Sequence, residues 1–437
     1  MAYENKENFK RRMTVVEDII QKIGLKSIEV TPLRWNENQV HPFNNFIFKV
    51  KLSSPAFARD FPETARQPYT DPLPWNGVSV VIVRLSNPRA LSLNNSNRVE
   101  TEVAAIQLLR TALTKLGPYY ASLVPIVYAW KAAQKPEPID ESGFGWTVME
   151  YLPGLPLNKA CESFDMAEKE CIVSEIATIF SAMQGMELPP GVDRYGGFTI
   201  DDQGNILSGQ ETIVAVPGGP WSDYDDYWRH QLFCQLIEAD SNSIIQGWRA
   251  HGIRERVDTF MREKLRDIIN NAGLNLTKLA FVHADFTMSN MLYDHEKKCI
   301  SGIVDFDWAG ATHPGHEFFN SLYDVYGTTI EQGSEKLRQA ILTSDFCASV
   351  DPSEEKHAEA WKLAQVWDEA VKESGGLRLS DINGMQTLLK LNTLTDTLNP
   401  YYLNGTGFAN ERTAEQNVKA RADAEKVIHE ILCSWGI

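Results

Sequence analysis

The chain has 437 residues, with 42 Lys+Arg against 58 Asp+Glu and a net charge of −16. Hydrophobic residues make up 43%, charged residues 23% and aromatics 10%, which excludes a disordered, collagen-like or disulfide-stapled chain. Single cores stop growing at roughly 250–300 residues, so two lobes are expected, and the acidic balance argues against a protein that coats nucleic acid.

In chain order, the start from Met1 to Asn8 is polar and lacks the apolar core of a signal peptide. A half-buried strand follows, in which Phe46, Phe48, Val50 and Leu52 alternate with Ile47, Lys49 and Lys51. After a proline-rich excursion from Pro62 to Pro74, Val78 to Leu85 reads as a second, almost continuously apolar strand. Val99, Val103, Ile106 and Leu113 then mark a helix of period 3.6 from Arg98 to Leu116. Val124–Tyr128 and Trp146–Tyr151 are further strand-like segments. Pro153, Gly154 and Pro156 punctuate the chain like a hinge.

Beyond the hinge the pattern is mainly helical. Helices are expected near 167–186, 224–248, 253–271, 354–372 and 412–434, with a hairpin from Gly197 to Leu207 turning at Asp201–Gly204. A Gly/Pro-rich loop, Val216–Pro220, follows that hairpin. Charge divides in the same way: residues 1–150 carry 18 Lys+Arg and 15 Asp+Glu, whereas residues 151–437 carry 24 and 43. The expectation is an α+β chain with a small sheet lobe over 1–150 and a larger helical lobe over 151–437.

The six cysteines (Cys161, Cys171, Cys234, Cys299, Cys347 and Cys433) contain no Cys-x-x-Cys pair. They read as reduced, mostly buried thiols, which suits the cytoplasm. No apolar stretch approaches the roughly 18 residues of a membrane span.

The segment Phe281–Ala309 is the most informative. An apolar strand, Leu279–Val282, runs into His283-Ala-Asp285-Phe-Thr-Met-Ser-Asn290. Met291–Tyr293, a polar turn at Asp294–Lys298 and a strand Cys299–Val304 form a hairpin ending at Asp305-Phe-Asp307-Trp308. That hairpin brings Asn290, at its entry, and Asp305, at its exit, to the same end beside Asp285. Hard oxygens converging without Cys or a His cluster suit Mg²⁺. A separate carboxylate near the metal can orient a hydroxyl and accept its proton. The bland alternative is that His283 and Asp285 cap a turn and Asp305 ends a strand.

These motifs resemble the aminoglycoside phosphotransferase/choline kinase-like family, which has a bilobal, protein-kinase-like fold. The resemblance extends to Glu102-Val-Ala-Ala-Ile106, to Met149-Glu-Tyr-Leu-Pro-Gly154 and to Pro42-Phe-Asn-Asn-Phe-Ile-Phe48, the last similar to a fungal branch. It implies ATP and Mg²⁺ as cofactors, Asp285 as catalytic base, and Asn290 and Asp305 as metal ligands. His283 would order the loop from beneath. The connecting backbone of Met149, Tyr151 and Leu152 would meet the adenine, and residues 1–150 would form a nucleotide-binding lobe. The catalytic loop, metal site and acceptor pocket would lie in 151–437. Asp307 would hold a metal-bound water or be a hydrogen-bonding strand end.

The chain also departs from protein kinases, with His-Ala-Asp and Asp-Phe-Asp in place of His-Arg-Asp and Asp-Phe-Gly. No Gly-x-Gly-x-x-Gly covers the phosphates; Phe43-Asn44-Asn45 stands there, and Asn tolerates left-handed turns. Arg84 replaces the expected strand lysine, and its guanidinium fork can reach phosphate oxygens and a carboxylate together. Its expected partner is Glu102, in line with Ile106, Leu109 and Leu113 on the inward face of the helix; the alternative is a structural salt bridge unconnected with nucleotide.

Other signals are weaker. Gly143-Phe-Gly145 lacks a third glycine and a following helix, and no Gly-x-Ser-x-Gly elbow is present. His313-Pro-Gly-His316 with Glu317 has metal-like composition but reads as a turn. Trp221–Trp228 mixes acids and aromatics as a helix start or a substrate wall, and Asn410–Val427 reads as a solvated helix face.

The expected activity is phosphoryl transfer from ATP to a hydroxyl of a small molecule bearing an amine or several hydroxyls, followed in some chemistries by elimination or cyclisation. The competing expectation is a catalytically weak kinase-fold module that binds nucleotide or a partner.

Overall fold

The computed structural model describes residues 5–33, 42–60, 67–90, 92–135, 140–329, 334–347, 355–404 and 412–437. Pro62 and Asn410, which open two of the segments singled out above, lie outside them.

Five antiparallel strands make one sheet in the order β1 (Ser27–Pro32), β2 (Asn45–Ala56), β3 (Val78–Ser86), β5 (Trp146–Glu150), β4 (Val127–Lys131). The period-two pattern decides its faces. Phe46, Phe48, Val50, Val81, Val83, Leu85 and Val148 are buried together with Val15, Val16, Ile19 and Ile20 of α1 (Phe9–Lys22). The register sets Ile47 opposite Arg84 and Arg84 opposite Thr147, so the other face presents Ile47, Ile82, Arg84 and Met149 to a cavity.

Helix α2 (Arg98–Thr114) leaves the sheet and joins the larger core formed by the helical part of the chain. Its placement is fixed by the short hairpin β7–β8 (Phe198–Ile200 and Ile206–Ser208). Thr101 Oγ1 donates to Phe198 O at 2.8 Å and accepts from Phe198 N at 3.1 Å, as a strand neighbour would. Asn97 Nδ2 adds a 2.7 Å bond to Phe198 O. Glu102 is thereby held next to β3.

The two-residue strand β6 (Leu155–Pro156) adds to a second hairpin, in which β10 (Met291–Asp294) pairs antiparallel with β11 (Cys299–Ile303). β9 (Ala280–Val282) pairs with β12 (Gly310–Thr312). The larger helices of this region include α3 (Met166–Gln184), α4 (Tyr224–Ser241), α8 (Glu355–Glu373) and α10 (Ala414–Ser434), with α5 (Ile253–Thr259), α6 (Leu265–Asn271), α7 (Glu335–Thr343) and α9 (Met385–Leu398) between them.

Several local expectations are corrected. The strand expected over 124–128 begins at Val127, because Pro125 has no N–H to enter the ladder. The helix expected over 224–248 stops at Ser241, where Asn242 Oδ1 accepts from the amides of Ile244 and Ile245 and turns the chain. The helix expected over 253–271 contains a π-turn at Phe260–Lys264. The cysteines are free, but only Cys234 is buried. Cys171 and Cys433 lie on the outer faces of α3 and α10 and are exposed, as is Cys347. Among the described residues no helix is long and apolar enough to cross a membrane.

Candidate active site

The loop after β9 is shaped by acceptors beneath its backbone. Glu317 accepts from the amides of His283 at 2.6 Å and Ala284 at 3.1 Å. Ser321 Oγ accepts from Phe286 N at 2.8 Å and donates to Glu317 Oε1 at 2.6 Å. Asp324 Oδ2 accepts from Met288 N at 2.7 Å. These contacts hold Ala284 at φ 62°, a left-handed conformation that costs a non-glycine residue about 1–3 kcal/mol. His283 is fully buried against Phe306 and Phe286, with ring centroids 4.9 and 5.8 Å away. Burial lowers its pKa to about 4, so it stays neutral.

Asp285 is thereby fixed beside the hairpin. Asn290 Nδ2 donates to Asp285 Oδ2 at 2.6 Å and to its carbonyl at 3.0 Å. Val304 N donates to Asn290 O at 2.9 Å, which ties hairpin entry to hairpin exit. Asp305 follows at φ 69°, a second left-handed residue in the same site. Burial, then the charge of Asp305, pushes the Asp285 carboxyl up to about 7; Asn290 opposes this and Glu317 and Asp324 add to it. Asp285, Asn290 and Asp305 are thus brought together as the hairpin argument expected.

Arg84 meets the same end of the hairpin from the sheet. Its Nη1 is hydrogen-bonded to Glu102 Oε1, and its Nη2 lies 3.0 Å from Asp305 Oδ1 and 2.8 Å from Asp307 Oδ2. Burial pushes Glu102 up to about 7; Arg84 opposes the shift, and Asp307 and Asp305 reinforce it. Asp307 behaves differently. Burial raises its pKa, but Arg84 and Arg98 together outweigh that and hold it well below the usual carboxylate range. Arg98 grips it in a fork, Nε to Oδ1 at 3.1 Å and Nη2 to Oδ2 at 2.8 Å, and Asn45 Nδ2 adds a 2.6 Å bond. Asp307 is hydrogen-bonded, as the strand-end alternative expected, and is also the node of two ion pairs.

A cavity of about 320 Å³ lies between the sheet and the hairpin. Arg84, Glu102 and Asp305 line its polar end; Met149, Tyr151 and Leu152 line it with Ile47, Ile82 and Leu292. Asn44 and Asn45 do not. Asn44 O and Asn45 Oδ1 accept from Arg98 Nη2 at 2.7 and 3.1 Å, so this segment is anchored over Asp307.

Sequence reasoning missed Arg98, Ser321 and Asp324. Nothing in their spacing marks them, since each acts on a backbone or carboxylate far along the chain. Glu317 was noticed only beside two histidines. Those histidines have other partners: His316 Nε2 is 2.6 Å from Tyr224 Oη, and His313 Nδ1 accepts from Gly315 N at 3.1 Å. Among the described residues no three His, Cys, Asp or Glu side chains are grouped to hold a metal. In the Trp221–Trp228 segment, Tyr224, Tyr227 and Trp228 are core aromatics, and Asp225 and Asp226 pair with Arg229.

A model of the phosphotransferase enzyme family matches residues 76–346, more than half of the chain, and the chain belongs to that family. It is by class a phosphotransferase, and its α+β architecture of sheet and helical regions is the one its motifs implied. No curated protein matches it. Among solved structures it is similar to a Ralstonia eutropha protein assigned as an aminoglycoside phosphotransferase, at 12% identity over 97% of each chain and a TM-score of 0.49. It is also similar to the ADP-bound aminoglycoside phosphotransferase APH(2'')-Ib, at 12% identity over 96% of this chain and 98% of that one, with a TM-score of 0.41. A Plasmodium vivax ethanolamine kinase matches at 10% identity over 97% of this chain and 89% of its own, with a TM-score of 0.43.

Proposed function

We propose that the protein transfers the γ-phosphoryl group of ATP to a hydroxyl of a small molecule, with Mg²⁺ as cofactor. The observation that carries this reading is the meeting of Asp285, Asn290 and Asp305 at one end of a hairpin whose Asp305 also lines the cavity. Residues 1–150 take the nucleotide phosphates, toward Arg84, and the base lies where that lobe meets the rest of the chain, at Met149, Tyr151 and Leu152. The orphaned Nε of the buried Arg84 supports that placement, because a buried donor without a partner calls for an acceptor.

The residues present fit the metal. Asn290 gives its Nδ2 to Asp285, which leaves Oδ1 as its ligand atom, and Asp305 supplies a carboxylate. Burial is the main cause of the raised pKa values of Asp285 and Glu102, and the neighbouring carboxylate Asp305 adds to both. When bound, Mg²⁺ supplies neutralising charge for the phosphates. Asp285 orients the acceptor hydroxyl and accepts its proton, and Glu102 keeps Arg84 aimed at the phosphates.

The acceptor meets the acidic part of the chain, with Asp305, Glu317 and Asp324 all acting on Asp285. A field of one sign favours ligands of the other, so the acceptor carries an amine or several hydroxyls. Phosphorylation also makes the hydroxyl a leaving group, so elimination or cyclisation can follow. Six free cysteines support a reducing, cytoplasmic location.

A binding-only reading has one observation in its favour: Arg84 already occupies Asp305. Purified protein incubated with ATP and a pooled metabolite extract separates the two. Mg²⁺-dependent ADP release above the rate without extract is expected; its absence across extracts favours binding alone.

A further inference from the structure

Arg84 and a divalent cation need the same carboxylate. The guanidinium is not an incidental neighbour of Asp305. It is almost fully buried, its other nitrogen is bound to Glu102, and the Nη2 that reaches Asp305 also reaches Asp307. Asp307 cannot follow a moving partner, because Arg98 and Asn45 hold both of its oxygens. The backbone of Asp305 is held by its left-handed conformation and by the hairpin bond between Val304 and Asn290, while its side chain is more exposed than that of Arg84. Arg84 is therefore held beside the proposed metal ligand by its contacts with Glu102 and Asp307.

We infer that Arg84 is the resident cation of Asp305 in the nucleotide-free enzyme, so that metal and nucleotide bind cooperatively. The inference rests on the reading of Asn290 and Asp305 as the metal site. A guanidinium at 3.0 Å compensates the carboxylate, and a second cation at the same oxygens meets both a satisfied ligand and a like charge. Mg²⁺ gives up water reluctantly and needs a carboxylate that is not already engaged. Nucleotide phosphates change the balance. They offer a guanidinium fork paired acceptors, and the Nε of Arg84 has no partner to lose. Once Arg84 leans on phosphate, Asp305 turns to the metal. Linkage makes the effect reciprocal: the factor by which nucleotide tightens metal binding is the factor by which metal tightens nucleotide binding.

The test is Mn²⁺ binding to the full-length protein without nucleotide, followed by the electron paramagnetic resonance of free Mn²⁺. Arg84→Met combined with Glu102→Leu removes both members of the pair and leaves neither of them as an unpaired charge. It is expected to bind Mn²⁺ about tenfold or more tightly than the unaltered protein, within the usual range of coupling between ligands. Arg84→Lys guards against misfolding of the double variant. Its single ammonium cannot serve Glu102 and Asp305 as a fork does, so a smaller tightening is expected. If Arg84→Lys, and the double variant when folded, bind Mn²⁺ no more tightly than the unaltered protein, Arg84 does not compete and the inference falls, while the phosphotransferase reading stands. If Mn²⁺ binds no form of the protein, even with ADP present, both fall.

Discussion

Arg98 and Asp307, 209 positions apart in the chain, are joined by two hydrogen bonds of 3.1 and 2.8 Å within the buried interior. One residue opens helix α2; the other lies just beyond the exit of the β10–β11 hairpin. Their bond ties the helix that carries Glu102 to the loop that carries Asp305, adding to the Phe198 contacts of the helix and to the Arg84–Asp305 pair. Asn44 and Asn45 attach to the same pair.

Removing the arginine should therefore cost stability. Arg98→Met strips Asp307 of half of its cationic partners while leaving it buried, and breaking a buried pair costs about 3–5 kcal/mol. Arg84 still faces Asp307, so a loss near the lower end, about 3 kcal/mol, is expected in urea unfolding. A loss below about 1 kcal/mol would mean that the pair behaves as an exposed one does.

Arg84 and Glu102 should act as a unit. Arg84→Met is expected to raise the KM for ATP and lower turnover, and Glu102→Gln to do the same less severely by freeing Arg84 to swing away. The double variant should lose less than the sum by roughly 0.5–3 kcal/mol. Stability is measured alongside, since an unpaired buried charge mimics a catalytic defect. Strictly additive losses in folded variants would separate the two residues.

The buried histidine predicts an acid limb. The folded pKa of His283 is about 4 against 6.5 for an unperturbed histidine, so between these values the unfolded chain binds a proton that the folded one does not. Its contribution is fully present above pH 6.5 and is lost as pH falls toward 4, roughly 3 kcal/mol over the 2.5-unit span. His313 and His316 act with the same sign. His283→Leu should remove about one proton's worth of slope from stability against pH in this window; an unchanged slope would show that His283 is not the group responsible.

Much of the site was legible because it is local. A hairpin of about a dozen residues carries Asn290 to Asp305, and a period of two along β3 with a period of 3.6 along α2 turns Arg84 toward Glu102. The helix boundaries near 98, 166, 355 and 414 followed from apolar spacing in the same way. What escaped depends on contacts between distant segments. Two arginines converge on Asp307 from different elements, and Glu317, Ser321 and Asp324 support a loop about 35 residues earlier in the chain. No spacing rule reports such pairs. The helices at 9–22, 335–343 and 385–398 were also missed, although Val15, Val16, Ile19 and Ile20 keep the spacing of a one-faced helix.

The most direct test of the phosphotransferase reading compares two carboxylates that lie side by side. Asp285→Asn should leave ATP binding within a few-fold of the unaltered protein and lower turnover by about 10²–10⁴, the worth of a positioned general base. Asp305→Ala, measured in the same calorimetric titration, should weaken Mg²⁺-dependent nucleotide binding itself. Loss of nucleotide binding in Asp285→Asn alone would exchange the two roles; full activity in both variants would contradict the account.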